Sequence, residues 1–139
     1  MCNQIRYSLE ERAPEAEVQP ACARHGIDLT LWSPLAGGLL AGRSAAARPI
    51  AGNQRWGGQG FSGQQIALAG QVEDLARQWG HDPDQVALAW LLSRPAVASA
   101  IVGAKSVEEI AIDIPAADLD LQVAQLEELG ALTAPGARR

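Results

Sequence analysis

The amino-acid sequence predicts an α/β fold in which short parallel strands are joined by helices. Three apolar segments indicate strands, at residues 3–9, 27–32 and 97–102, and each is followed by at least one segment with helical features. Such alternation is typical of parallel sheets, because two parallel strands must be joined by a crossover connection, which is usually a helix. The 139 residues fit one domain. Three strands form either a small sheet or part of a larger one.

The first strand leads through a polar turn to a predicted helix over residues 15–25. Val18, Ala21 and Cys22 share one face of this helix. Gly26 follows directly, at the position where glycine commonly ends a helix because it accepts a left-handed conformation. The first unit is therefore a strand followed by one helix.

The second strand runs into a glycine-rich turn that ends on a cation. The apolar run stops at Ser33-Pro34, and Gly37 and Gly38 precede Arg43. Glycines let a backbone approach a ligand closely, and an anion suits such a turn. The turn fits an anion site and a purely structural junction about equally well on its own residues.

Two helices follow a long loop over residues 43–62, and we expect a functional lid or a disordered segment there. Apolar residues recur at helical spacing over residues 63–79, which predicts an amphipathic helix. Asp82 and Pro83 then have the residue types of an N-cap and a first helical position, so they predict a second helix that ends near Arg94.

The third strand is followed by Gly103-Ala104-Lys105-Ser106, which places a cation and a hydroxyl at a predicted helix start. A helix N-terminus attracts phosphate, but Ser106 and Glu109 also form a capping-box pattern that needs no ligand. The cap is the better interpretation of these two residues, whereas Lys105 favours phosphate. Pro115 interrupts or ends this helix, Asp120 is expected to cap a last one, and residues 133–139 are predicted to be a frayed tail.

Composition narrows the class of protein. The formal net charge is −5, which gives no support for binding nucleic acid. Cys2 and Cys22 lack the spacing of metal ligands, so we expect free thiols, no metal and a reducing compartment. The sequence offers neither a signal-peptide core nor an apolar run of membrane-spanning length. These features predict a cytoplasmic protein without membrane partners.

Four motifs in this order together resemble the C-terminal half of the aldo-keto reductases. They are Asn3-Gln4-x-x-Tyr7-Ser8-Leu9, Trp32-Ser33-Pro34-Leu35-Ala36-Gly37-Gly38-Leu39-Leu40-Ala41-Gly42-Arg43, Val86-Ala87-Leu88-Ala89-Trp90-Leu91-Leu92 and Ile101-Val102-Gly103-Ala104-Lys105-Ser106. The resemblance implies a (β/α)8, or TIM, barrel that binds NADP(H). This chain would then supply about the last three β/α units, with its strands matching the sixth, seventh and eighth.

The same resemblance assigns roles in a dinucleotide site. It implies that Gln4 holds the nicotinamide carboxamide and that Trp32 stacks on the nicotinamide, although a surface glutamine and a core tryptophan are the ordinary alternatives. The residues implied around the pyrophosphate are Ser33, Pro34, Leu35, Gly37 and Arg43. Those implied near the adenosine 2′-phosphate are Gly103, Lys105, Ser106, Glu109 and Asp113, the last two standing where the family usually has Gln or Arg, and Asn.

The resemblance assigns no catalytic residue to this chain, because the family's Asp, Tyr, Lys and His tetrad belongs to the first four strands. Tyr7, the only tyrosine, falls in the sixth-strand motif. We therefore expect a truncated oxidoreductase that does not reduce aldehydes or ketones alone. The alternative is a non-catalytic fragment that binds nucleotide weakly or serves in assembly. Open sheet edges predict self-association or pairing with a separate N-terminal half-barrel.

Overall fold

The computed structural model describes residues 1–46 and 60–134 and contains a parallel three-stranded sheet. The strands lie in the order β1 (Cys2–Arg6), β2 (Asp28–Trp32) and β3 (Val97–Ile101). All pairings are parallel, with Gln4 opposite Thr30, and β2 pairs with β3 across an irregularity in register. The predicted α/β class with parallel strands is confirmed.

The first strand is shorter than predicted because the chain turns inward after Arg6. Tyr7, Ser8 and Leu9 are all buried there. The hydroxyl of Ser8 accepts hydrogen bonds from the backbone N–H groups of Glu10 and Glu11, at 3.2 and 2.9 Å. A serine that binds the next backbone amides favours a turn over an extended strand.

Helix α1 spans Val18–His25, after a 3₁₀ turn at Ala13–Glu15. Val18 is 38% exposed, whereas Gln19 and Cys22 are buried. The helix starts three residues later than expected. Gly26 ends the helix in the left-handed conformation (φ 63°), as predicted.

The long loop begins with one helical turn, α2 (Arg43–Ala46), and its residues 47–59 lie outside the described residues. The two predicted helices are confirmed as α3 (Gly63–Gln78) and α4 (Pro83–Leu92). Ser62 and Gln65 form a capping box at the start of α3, a signal that the sequence interpretation missed. Asp82 is the N-cap residue of α4, and Ser93 ends that helix.

The C-terminal part contains α5 (Val107–Asp113), a 3₁₀ turn at Ile114–Ala117 that includes Pro115, and α6 (Val123–Leu132). Asp120 does not cap the last helix; Gln122 does, because its backbone N–H donates to Gln125 Oε1 at 2.7 Å. Thr133, in the predicted tail, is 1% exposed and donates its hydroxyl to the Leu129 carbonyl oxygen. Residues 135–139 lie outside the described part of the chain.

The core lies on one face of the sheet, between β2 and the helices. Leu29 and Leu31 of β2 are fully buried against it, as are six consecutive residues of α4, Val86–Leu91, to within a few per cent. The other face is polar: Thr30 Oγ1 lies 3.0 Å from Cys2 Sγ and 3.1 Å from Ser99 Oγ. Within the described residues the sheet stays open, with β1 and β3 as its edges.

Candidate functional site

The two residues predicted to contact the nicotinamide lie on neighbouring parallel strands. Gln4 is exposed in β1, and Trp32 is the half-buried last residue of β2. Sequence interpretation missed Arg6, whose guanidinium carbon lies 5.8 Å from the Trp32 ring centroid. Their backbones are in register, so the parallel pairing brings this cation over the indole. A flat ring of a ligand stacked on the Trp32 indole would lie close to the Arg6 guanidinium.

The glycine-rich turn has a tight, partly strained backbone. Ser33 and Ala36 both have positive φ, at 56° and 51°, which is uncommon for residues with a side chain and clusters at functional sites. Pro34 is buried and Leu35 is half-buried, so the turn is anchored in the core while Gly37 is exposed. Two N–H groups of the turn are bonded within it, since Ala36 donates to the Ser33 carbonyl oxygen at 2.9 Å and Gly38 to that of Leu35 at 3.0 Å. Successive backbone groups in a turn of this kind can form an anion-binding concavity.

Two glycines in this turn are required by conformation. Gly37 and Gly38 have φ of 70° and 95°, and an added Cβ would meet no atom within 4 Å at either position. Steric crowding therefore does not explain them, whereas left-handed backbone does. Backbone conformation therefore explains glycine at these two positions, and their role in a close ligand approach stays a prediction.

Arg43 contacts helix α3 instead of pointing freely into the turn. Its backbone N–H donates to Glu73 Oε2 at 2.7 Å, and its Nη2 donates to Asp74 Oδ2 at 3.0 Å and to the Gly70 carbonyl oxygen at 3.1 Å. An added Cβ on Gly70 would lie 2.8 Å from Arg43 Nη2. The sequence did not indicate these contacts. They connect α2, in which Arg43 lies, to helix α3.

The segment after β3 is exposed and capped from within. Ser106 Oγ accepts a hydrogen bond from the Glu109 backbone N–H at 3.2 Å, which confirms Ser106 as the N-cap of α5. The carboxylate of Glu109 reaches back one residue further than an ordinary capping box and accepts from the Lys105 backbone N–H at 2.6 Å. Gly103 and Lys105 are exposed.

Asp113 lies half-buried at the last residue of α5, near other carboxylates. Burial, followed by the negative charges of Asp84 and Glu109, raises the pKa of Asp113 to about 6. Burial also raises the pKa of Asp84. The two helices meet here, since Gln85 Nε2 of α4 donates to the Ile112 carbonyl oxygen at 3.0 Å. The predicted phosphate end of the site is therefore acidic.

A polar cluster beneath β1 was missed by sequence interpretation. The hydroxyl of Tyr7 donates to Glu15 Oε1 at 2.6 Å, and Arg12 donates to both oxygens of Glu15, at 2.8 and 2.7 Å. Trp90 packs edge-on against Tyr7, with the guanidinium carbons of Arg12 and Arg94 at 5.0 and 4.5 Å from its ring centroid. Tyr7, Arg12 and Glu15 are close in sequence. Only the folded chain brings them against Trp90 and Arg94, which lie far along the sequence.

The ionisation of this cluster identifies Tyr7 as structural. Burial, followed by the hydrogen bond and charge of Glu15, raises the pKa of Tyr7 far above its ordinary value. Burial alone would raise the pKa of Glu15, but hydrogen bonds from Arg12 and Tyr7 lower it overall. A buried tyrosine whose hydroxyl donates to a carboxylate does not fit the role of a proton donor to substrate.

Comparison with known proteins identifies the class. The model of the aldo/keto reductase family matches residues 1–134. The crystal structure of the thermostable aldo-keto reductase Tm1743, in complex with the inhibitor epalrestat, superposes with a TM-score of 0.66 at 25% identity, covering 94% of this chain and 39% of that one. The chain therefore belongs to the aldo/keto reductase family, and its open α/β sheet is a partial TIM barrel.

Individual relatives agree with this assignment. An uncharacterized oxidoreductase, YrpG, from Bacillus subtilis is 36% identical over 118 residues, covering 85% of this chain and 36% of the relative. Protein tas from Escherichia coli is 33% identical, with 91% and 38% covered. A putative voltage-gated potassium channel subunit beta from Schizosaccharomyces pombe is 30% identical, with 75% and 33% covered. The chain thus spans about a third of the length of these relatives, 33–38%.

None of the helices in residues 1–46 and 60–134 has the length and apolar character needed to cross a bilayer. Over the same ranges, histidine, cysteine and acidic side chains do not form a group of three or more that could hold a metal ion.

Proposed function

We propose that this chain supplies the dinucleotide-binding part of an aldo-keto reductase barrel, which reduces aldehydes or ketones with a nicotinamide cofactor. One observation carries this proposal: the positive-φ glycine turn after Trp32 lies at the central strand, between Gln4 on one neighbour and Lys105 after the other. Ligands in parallel α/β folds bind at the carboxyl ends of the strands. Membership of the family supports a nicotinamide dinucleotide as that ligand.

The residues fit the nicotinamide and pyrophosphate parts of such a cofactor. The exposed amide of Gln4 can exchange hydrogen bonds with a carboxamide, and the half-buried indole of Trp32 offers a surface for stacking. The turn at Ser33–Gly38 contains positive-φ residues, and such backbone is typical of anion-binding turns, which supports it as the pyrophosphate site. When bound, the cofactor supplies a hydride for a carbonyl carbon. This chain's residues bind and orient it, and we assign no proton donor to them.

Catalysis requires the rest of the barrel. By resemblance to the family, the Asp, Tyr, Lys and His tetrad belongs to earlier strands, and Tyr7 hydrogen-bonds to Glu15. We propose that the polar sheet face around Thr30 is covered by those strands, either in a longer polypeptide or in a separate half-barrel, and that the chain alone is inactive. Two free thiols, Cys2 and Cys22, favour the cytoplasm as its location.

Cofactor titration tests the binding proposal. Isothermal calorimetry with NADH and NADPH should give saturable binding of at least one of them to the folded protein. Trp32→Leu should weaken that binding by about tenfold or more, since base–aromatic stacking contributes roughly 1–3 kcal/mol. Trp79→Leu is the matched control, because that half-buried indole lies at the end of α3. If neither NADH nor NADPH binds to the folded protein, the proposal is contradicted.

Activity and assembly need a second experiment. The purified chain should show no carbonyl-dependent oxidation of NADPH or NADH, and the addition of a polypeptide carrying the first five strands of a relative should restore it. Light scattering after size-exclusion chromatography should detect either a complex with that polypeptide or self-association. Turnover by the chain alone would contradict this part of the proposal. A stable monomer that does not bind the added polypeptide would also contradict it.

A further inference from the structure

The segment expected to meet the adenosine end of a dinucleotide places its own carboxylate where a phosphate group would bind. Glu109 Oε2 accepts the Lys105 backbone N–H at 2.6 Å, and Ser106 Oγ accepts the Glu109 backbone N–H at 3.2 Å. The amide before the helix is therefore already bonded to an anionic oxygen from within the chain. A phosphate oxygen would have to displace Glu109 to reach it.

The charge of this segment also opposes a phosphate. Lys105 is the one cation among residues 103–113, which also contain Glu108, Glu109 and Asp113. A phosphate monoester carries a charge of about −1.5 to −2 near neutral pH. Helix α5 has only seven residues, and its first turn is acidic, so its dipole offers little compensation.

The carboxylates at the end of α5 reinforce the repulsion. Gln85 Nε2 donates to the Ile112 carbonyl oxygen, which holds the end of α5 against α4, and the charges of Asp84 and Glu109 both act on Asp113. A doubly charged phosphate would bring a further negative group to the same place. The residues present therefore do not fit a 2′-phosphate.

Resting on the proposed function, we infer that this segment selects against a 2′-phosphate, and that the preferred cofactor is NAD(H) over NADP(H). A carboxylate is an acceptor without a donor, so it suits the ribose hydroxyls that NAD leaves unphosphorylated. Glu109 and Asp113 are the specificity-determining residues. The family resemblance alone had implied NADP(H), and these two side chains reverse that expectation.

The test compares NAD⁺ with NADP⁺ by isothermal calorimetry on the same protein. NAD⁺ should bind at least about tenfold more tightly, since like charges in contact near the surface cost on the order of one tenfold step in affinity. A parallel titration with 5′-AMP and adenosine 2′,5′-bisphosphate should give the same order, which isolates the adenosine end from the nicotinamide end.

Two substitutions assign the preference to residues. Glu109→Gln keeps an oxygen for the Lys105 N–H while it removes the charge, so the cap should survive. The double variant Glu109→Gln, Asp113→Asn should tighten NADP⁺ by about tenfold or more and change NAD⁺ by less than about twofold. Glu127→Gln, which removes one exposed charge from α6, should leave both affinities unchanged.

The outcomes separate the two proposals. Equal or tighter binding of NADP⁺ by the unmodified protein overturns the inference and leaves the proposed function intact. An unchanged NAD⁺-to-NADP⁺ ratio in the double variant removes Glu109 and Asp113 from the explanation and also overturns the inference. Failure of both dinucleotides to bind the unmodified protein and the variants contradicts the proposed function itself.

Discussion

The carboxylate of Glu73 accepts the backbone N–H of Arg43 at 2.7 Å and thereby joins the end of the glycine-rich turn to helix α3. Glu73 Oε1 also accepts from Arg77 Nη2 at 2.8 Å, one helical turn further on. The Glu73 side chain is 17% exposed, so these bonds are partly shielded from water. The position of the turn therefore depends on a residue about thirty positions later in the chain.

Replacement of this carboxylate should loosen the turn. We expect Glu73→Ala to lower the free energy of unfolding by about 1–2 kcal/mol, because a backbone donor loses its charged acceptor. Glu73→Gln keeps an oxygen and loses mainly the ion pairs, so its cost should stay below about 1 kcal/mol. Urea denaturation measures both. Equal effects of the two substitutions would show that charge, and not the hydrogen bond to Arg43, is what matters.

Gly70 and Gly130 form a matched pair for substitution by alanine. An added Cβ meets no atom within 4 Å at Gly130, but at Gly70 it would lie 2.8 Å from Arg43 Nη2. Gly130→Ala should therefore gain about 0.5–1 kcal/mol of stability from helix propensity. Gly70→Ala should gain little, because the guanidinium must leave the Gly70 carbonyl. In an Arg43→Ala background, Gly70→Ala should recover the full gain, and its failure to do so would contradict the steric explanation.

The local sequence was enough to predict the helices and strands but not the contacts between them. The cap at Asp82 and the stop at Gly26 are local signals, so both were predicted correctly. The start of α1 was predicted three residues too early, because a 3₁₀ turn precedes the helix. The Arg43–Glu73 contact joins distant segments, and no periodicity encodes it. Local patterns specify an element, whereas its neighbours depend on the whole packed chain.

In the candidate site too, the local features were predictable from the sequence, whereas the contacts between segments were not. The positive-φ turn after Trp32 was predictable because glycine spacing is a local property. The position of Arg6 over Trp32 depends on strand register, which pairs these two residues. The contact of Glu109 with the Lys105 amide depends on a side-chain conformation that spacing alone leaves open. Sequence therefore identified the candidate cofactor residues better than it identified their partners.

The hydrogen bond from the buried Tyr7 to the half-buried Glu15 predicts a pH-dependent loss of stability. Tyr7→Phe keeps the ring against Trp90 but removes the donor to Glu15, and should cost about 1–2 kcal/mol at neutral pH. The folded-state pKa of Glu15 lies below its ordinary value of 4.5, so its contribution is present above that value and is lost as the pH falls through the folded pKa.

Urea denaturation from neutral pH to about pH 3 checks this prediction. The difference between the wild-type protein and Tyr7→Phe should be constant above the ordinary pKa of Glu15 and should shrink below it. Glu15→Gln in the same series should remove most of that pH dependence. A difference that stays constant to the lowest pH would mean that the Tyr7 hydroxyl does not act through the ionised carboxylate.

Asp113 should give the opposite pH dependence, because its folded-state pKa is raised from 3.8 to about 6. A raised carboxyl pKa means that the folded protein binds the proton more tightly than the unfolded chain does. Stability should therefore rise as the pH falls through about 6 towards 3.8, and Asp113→Asn should remove that rise and stabilise the protein at neutral pH. Asp118→Asn, on the exposed turn after α5, is the control and should change neither the pH dependence nor the stability at neutral pH.

Carboxyl NMR titration should locate the transition at Asp113 itself. Asp84→Asn should lower the pKa of Asp113, since the charge of Asp84 helps to raise it. A titration of Asp113 near its ordinary pKa would show that α5 does not bury this carboxylate against α4.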